Sequence, residues 1–164
     1  MPYDAAPLPS ADFKDVLAHL ASGVAIISCW DGETPRGLLV SSITGLSVEP
    51  PRFLFCVRKE AASHDALSAS VECGVALLGA TDEDEAMKFA SSSRVSERFA
   101  SDRWSLEPET PPAYRGGLAI AHCRIDSIAD AGTHSIFVVT VARSALTSGS
   151  PLVAWNRALR PLPT

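Results

Sequence analysis

LAIAHCRIDSIADAGTHSIFVVTVARSAL, residues 118–146, is the stretch whose reading decides the fold. Leu118 to Ile128 and His134 to Leu146 are rich in apolar and β-branched residues, and Ala131-Gly132 lies between them. That pattern predicts two long strands joined through a turn. Outward from this pair, Val24 to Trp30 followed by Asp31-Gly32 reads as a strand entering a turn, with Arg36 to Thr44 returning from it. Pro50-Pro51 break the chain before Arg52 to Val57 resumes as a nearly continuous apolar strand. Val71 to Leu78 and a short segment around Pro151 to Trp155 complete the set.

Helices are few and short. Phe13, Val16, Leu17 and Leu20 share one helical face, with Ser10 or Asp12 as cap and Gly23 as stop. Ser63 is placed to cap a second helix through Asp65, Ala66 and Leu67. Thr81 or Asp82 caps a third, whose acidic start opposes the helix dipole and whose buried face is Met87 and Phe89. Residues 91–114 form a polar, proline-bearing excursion of a length that is often functional. Six or seven strands with so few helices point to a closed or nearly closed antiparallel barrel. A doubly wound parallel sheet needs a long crossover helix after almost every strand, so it is excluded. The G-x-G-x-x-G, P-loop, H-E-x-x-H and G-x-S-x-G patterns are absent as well.

The 164 residues suit one domain over residues 10–164, preceded by a loose arm over residues 1–9. Apolar residues make up 46% and charged residues 20%, enough to bury a core without staples. A net charge of -5 with only 14 scattered Lys and Arg opposes nucleic-acid binding, which needs clustered cations. No apolar run reaches membrane-helix length and the N-terminus does not resemble a signal peptide, so a cytoplasmic protein is expected. Cys29, Cys56, Cys73 and Cys123 are dispersed, with no C-x-x-C pair, and are expected to be buried reduced thiols rather than metal ligands or disulfides.

Several residues are candidates for chemistry. Ser41, Ser42 and Thr44 cluster at a strand end; they either satisfy a turn or meet the polar edge of a flat heterocycle. Between Val57 and His64, Arg58 and Lys59 precede a helix start, which makes either a solvated basic loop or a phosphate site. His134 opens the longest strand, where an ordinary strand role competes with a catalytic one. Trp155 is placed to stack on a ring or to fill a core or interface. Arg98 suits a ligand phosphate, an interface, or a salt bridge to Glu97 or Asp102.

Taken in order, these pieces resemble the flavin reductase-like domains, short split-barrel proteins that use NADH or NADPH to reduce flavin for a separate monooxygenase. The resemblance begins at Phe13 to Gly23-Val24, Gly37 with Ser41-Ser42-Ile43-Thr44, and Ser47-x-x-Pro50-Pro51. It continues through Cys56-Val57-Arg58, Ser63-His64-x-x-Leu67, Phe89-Ala90-Ser91, Arg98-Phe99 and Gly117-Leu118-Ala119 with Cys123. Gly132-x-His134-x-Ile136-Phe137 and Pro151-Leu152-Val153 close it. It implies a mainly β, antiparallel split barrel of the FMN-binding type, a homodimer, and FMN or FAD reduced by NADH or NADPH.

The resemblance also implies the site. Ser41, Ser42, Ile43 and Thr44, with Leu39 and Val40 before them, line the isoalloxazine. Arg58, Lys59 and Ser63, bounded by Val57 and His64, hold the flavin phosphate. Phe89, Ala90 and Ser91 flank the flavin, Arg98 and Trp155 contribute to the site, and His134 lies on the nicotinamide side as the catalytic candidate. No metal is implied. Departures fall at Leu39 and Val40, where relatives commonly carry a Thr before a small residue, at Ala61 and Ala62 in a segment otherwise rich in serine, at Ala76 in place of Asn, and at Arg157 and Leu159, where they carry Gly and Tyr. These departures leave a second expectation: a divergent flavin- or haem-binding protein, or a partner subunit, on the same barrel.

Overall fold

The computed structural model describes residues 6–163. Helix α1 (Ser10–Ala18) leads into β1 (Ser22–Gly23), β2 (Ala25–Asp31), β3 (Thr34–Val40), β4 (Thr44–Ser47) and β5 (Arg52–Arg58). Helix α2 (His64–Ala69), β6 (Glu72–Leu77) and helix α3 (Glu83–Ala90) follow. Then come β7 (Trp104–Ser105), β8 (Ala113–Tyr114), β9 (Ala119–Ala131), β10 (His134–Leu146), β11 (Leu152–Trp155) and β12 (Ala158–Pro161). The paired strands β9 and β10 are the predicted long hairpin, and they lie at the middle of an antiparallel sheet ordered β3-β2-β6-β9-β10-β5-β4. Irregularities between Val138 and Val139 and between Val141 and Arg143 break the hairpin's register, the kind of bulge that bends a strand and increases its twist. Two small sheets, β1-β11-β12 and β7-β8, complete the mostly β architecture.

β2 is buried on both faces, which explains its unbroken apolar run. Ile27 packs with Val40, Phe55, Val57, Phe137 and Val139 on one face. Its neighbour Ile26 packs with Leu78, Ala86, Phe89, Trp104, Tyr114 and Leu152 on the other. Phe55 and Phe137 are direct cross-strand partners with rings stacked at 5.4 Å. Cys29, Cys73 and Cys123 are buried free thiols and Cys56 is half-buried. The Cys123 thiol opposite Cys73, together with burial, pushes the Cys73 thiol well above its ordinary range.

The helices depart from expectation in informative ways. α1 forms, but Pro9 precedes it without a side-chain capping bond, and it stops at Ala18 rather than Gly23. Phe13, Val16, Leu17 and Leu20 are each about half exposed. Ser63 does not cap α2; its hydroxyl donates to the Gly37 carbonyl at 2.9 Å. On α3, Glu85 and Ala86 are buried with Phe89, while Met87 is exposed. The polar excursion is anchored by Trp104 and Tyr114, which enter the second core. Of the arm expected over residues 1–9, residues 1–5 lie outside the described residues; residues 6–9 are exposed and irregular. Among the described residues, no helix is long and apolar enough to cross a membrane.

Candidate functional site

Two connected cavities open where β3 ends. The smaller, about 430 Å³, is lined by Leu39, Val40, Arg58, Phe89 and His134 among others. The larger, about 840 Å³, carries Trp155 on its wall. Leu39, Ser41, Ser42 and Ala90 belong to both.

Each wall has a structural cause. The bend after Val40 is pinned to β5 by Ser42, whose hydroxyl donates to the Cys56 carbonyl and accepts the Cys56 N–H, both at 3.0 Å. The antiparallel register of β5 and β10 sets His134 opposite Arg58. His134 Nδ1 lies 2.9 Å from the Thr133 hydroxyl, and Arg58 pairs with Glu60 at 2.8 Å in an exposed ion pair that solvent weakens.

The opposite wall, Phe89 and Ala90, is the end of α3, and two buried carboxylates hold that helix against the excursion. Glu85 accepts from the Trp104 indole at 2.9 Å and from Lys88 at 2.8 Å. Asp82 accepts from the Gly79 N–H at 2.8 Å and from the Tyr114 hydroxyl at 3.0 Å. Burial pushes the Tyr114 phenol up to about 12, so it stays a donor. The bond to Glu85 raises the Lys88 ammonium.

The structure does not gather every residue singled out from the sequence. Val57 is buried in the core, Ile43 packs against it, and Thr44 sits on the edge strand opposite Leu54. Lys59 turns from the cavities to pair with Asp130, whose carboxyl its ammonium holds below the usual range. His64 bridges Asp65 and the Ser135 hydroxyl at 3.0 and 2.9 Å, and Ser91 bonds the Ser93 hydroxyl. Arg98 makes neither of its expected salt bridges. Its guanidinium donates to the carbonyls of Lys88, Phe89 and Ser91 at the end of α3 and lies over the Phe89 ring. Burial lowers its pKa. Sequence reasoning missed Leu38 and Cys56 in the smaller cavity and Lys14, Leu17 and Met87 in the larger. The apolar face of α1 was the available signal for Leu17.

Apolar Leu39, Val40 and Phe89, a hydroxyl at Ser41, a guanidinium and an imidazole together suit a flat heterocycle that bears an anionic arm. Among the described residues no acid, His and Cys cluster is placed to hold a metal.

Residues 17–163 match the family described as the flavin reductase like domain. The reductase component of a 4-nitrophenol 4-monooxygenase/4-nitrocatechol 2-monooxygenase from Rhodococcus opacus is 31% identical over 146 residues, covering 89% of this chain and 77% of the relative. An FMN reductase (NADH) from Stutzerimonas stutzeri is 31% identical over 137 residues, 83% of this chain and 78% of its own. Among solved structures, an NADH:FAD oxidoreductase of Streptomyces globisporus in complex with NAD and FAD fragments superposes with a TM-score of 0.85. It is 27% identical and covers 97% of this chain and 98% of its own.

Proposed function

The chain belongs to the flavin reductase like domain family, and on that premise we propose that it is an NAD(P)H:flavin oxidoreductase that reduces free FMN or FAD for a separate monooxygenase. The observation that carries this reading is the placement of Arg58 and His134 across one cavity floored by residues 39–42. When bound, the nicotinamide would supply the hydride and the flavin would be its acceptor, so the protein's task is orientation and exclusion of water. Leu39, Val40 and Phe89 supply the apolar walls for the ring, and Ser41 meets its polar edge. Arg58 takes the phosphate through charge-assisted bonds. His134 orients the nicotinamide carboxamide or balances the charge that reduction adds. Ser42, Ser63, His64 and Arg98 hold these walls in place through the bonds described above.

Assembly belongs to the same reading. Leu54, Cys56, Ile136 and Val138 are direct partners on the half-exposed face of β5 and β10, opposite the Phe55–Phe137 stack. Cys56 also lines the smaller cavity, and exposed Leu46 lies on the neighbouring edge strand β4. A second copy of the chain covers that face in a homodimer and closes the site from outside. The same proposal has the protein working in the cytoplasm, where reduced nicotinamide nucleotides are at hand.

The test is turnover with each pair of NADH or NADPH and FMN or FAD, followed as loss of nicotinamide absorbance. Rates above a buffer blank with at least one pair are expected. No turnover with any pair overturns the reading, and a bound chromophore inert to both nucleotides would favour a binding protein on the same barrel.

A further inference from the structure

Helix α3 and the polar excursion meet rung by rung. Asp82 at the start of α3, then Glu85, then Phe89 follow one another about a turn apart on its buried face. The excursion meets them in reverse order. Tyr114 bonds Asp82, Trp104 bonds Glu85, and Phe99 stands edge-on to Phe89 with ring centroids 5.1 Å apart. Only the last rung reaches the smaller cavity, because Phe89 lines it whereas Asp82 and Glu85 line neither cavity.

Two features of this contact are disfavoured in themselves. Glu85 is 5% exposed, and its carboxylate is held between the Trp104 indole at 2.9 Å and the Lys88 ammonium at 2.8 Å. Replacing such a buried ion pair by apolar side chains is often neutral for stability, so stability alone does not call for a charge here. Phe99 has a φ of 61°, in the left-handed region that a bulky side chain rarely adopts. It is held there from both sides. Arg98 before it is tied to the carbonyls of Lys88, Phe89 and Ser91, and its own ring lies 4.5 Å from that of Trp104. Trp104 in turn lies 5.5 Å from Phe89. The buried charge and the left-handed phenylalanine thus converge on one ring at the cavity, and strain kept by over-determining contacts marks functional placement.

We propose that Glu85 is a positioning residue for the flavin site: by fixing the Trp104 indole it sets, through Trp104 and Phe99, the place of the Phe89 ring over the smaller cavity. The inference rests on the reading of that cavity as the flavin site. Phe89 has no polar handle, so its ring is placed only by what packs behind it. A hydrogen bond to the indole is directional where packing alone is not, and it locks the backing of that ring in one orientation.

Titration of FMN by fluorescence quenching, beside steady-state rates with NADH, tests this on the full chain. Glu85→Met and Trp104→Phe remove the acceptor and the donor in turn, and each raises the Kd for FMN by about tenfold. The two combined also raise it by about tenfold rather than about a hundredfold, because both break one bond. Glu85→Gln keeps an acceptor for the indole and stays within about threefold of the parent. The rate at saturating FMN stays within about twofold throughout, since the lost interaction acts on binding. A residue that only stabilised the fold would lower the urea midpoint and leave the Kd of the folded protein unchanged. Equal Kd values for the parent and Glu85→Met therefore overturn the proposal. So does a Glu85→Gln protein no better than Glu85→Met, or a fully additive loss in the combined variant. Where Glu85→Met does not fold, Trp104→Phe, which leaves both charges in place, decides by the same comparison of Kd. FMN binding by the parent without turnover defeats the reductase reading alone, and turnover with equal Kd across the variants defeats the positioning role alone. Absence of FMN binding by the parent defeats both.

Discussion

His134, the first residue of β10, stands directly opposite Arg58, the last residue of β5, and both line the smaller cavity. No loop is needed to bring them together. One unbroken ladder running from His134–Arg58 to Thr140–Arg52 fixes the separation of an imidazole and a guanidinium at the end of the sheet. On the proposed reading, phosphate and nicotinamide are met by groups held on rigid strands, which favours precise placement over adaptability.

Arg58 and Lys59 are adjacent cations with different surroundings, and this separates their effects. Arg58→Ala should raise the Kd for FMN by roughly ten- to a hundredfold, the range for losing a hydrogen bond to a charged group. Riboflavin, which has no phosphate, should bind as before. Lys59→Ala should shift FMN binding by less than about twofold, because an exposed pair with Asp130 contributes little. Quenching of flavin fluorescence reads all three. An equal loss for FMN and riboflavin would show that Arg58 acts through the fold rather than the phosphate.

His134→Ala should lower kcat/KM for NADH by about tenfold, the loss of one orienting hydrogen bond, while the flavin Kd changes less than about twofold. Steady-state rates at saturating flavin, beside direct flavin titration, make the comparison. An unchanged rate with NADH would assign His134 to the strand end alone.

The strand skeleton was legible because apolar runs and turn residues are local signals, and the hairpin over residues 118–146 forms as read. What was not legible depends on partners distant in sequence. Met87 looks like the buried residue of α3, yet Glu85 is buried instead because Trp104, nineteen positions away, brings an indole donor to its carboxylate. Ser63 has the right place and chemistry for a cap, but α2 packs against β2 and the hydroxyl of Ser63 is taken by the Gly37 carbonyl of the next strand. Arg98 reads as a cation for a phosphate, an interface or a neighbouring carboxylate until the end of α3 supplies three carbonyls to satisfy it. β12 was missed because Ala158–Pro161 has neither alternation nor an apolar run and depends on pairing with β11.

Burial of the Tyr114 phenol, which donates to Asp82, makes stability fall at high pH. Burial raises the phenol from its ordinary value near 10 to about 12, so between those values the folded chain holds a proton that the unfolded chain has released. The corresponding stability is fully present below about pH 10 and is lost as pH rises toward 12. Tyr114→Phe should be less stable at neutral pH by about 0.5–1.5 kcal/mol, for the lost hydrogen bond to Asp82. Between pH 10 and 12 its melting temperature should fall less steeply than that of the parent. Parallel profiles across that window would mean that other groups control the alkaline transition.

Gly37 links the barrel to the wall of the site through its lack of a side chain. A Cβ there would lie 2.9 Å from the Ile27 carbonyl oxygen, 2.9 Å from Phe89 Cε1 and 3.1 Å from Phe99 Cζ. The first of these atoms belongs to the β2–β3 ladder and cannot yield, so the two phenyl rings must move. Phe89 lines the smaller cavity, and Phe99 meets it edge-on with ring centroids 5.1 Å apart. Gly37→Ala should therefore destabilise the fold by about 1–3 kcal/mol, as overpacking does, and weaken flavin binding in the same variant. Gly45→Ala on β4 is the comparison, because a Cβ there meets nothing within 4 Å, and its stability should stay within about 0.5 kcal/mol of the parent. Urea midpoints and flavin titrations on both variants provide the measurement. A Gly37→Ala protein that unfolds and binds flavin like the parent would show that the ring pair has room to retreat, and that close packing on β3 does not hold Phe89 over the cavity.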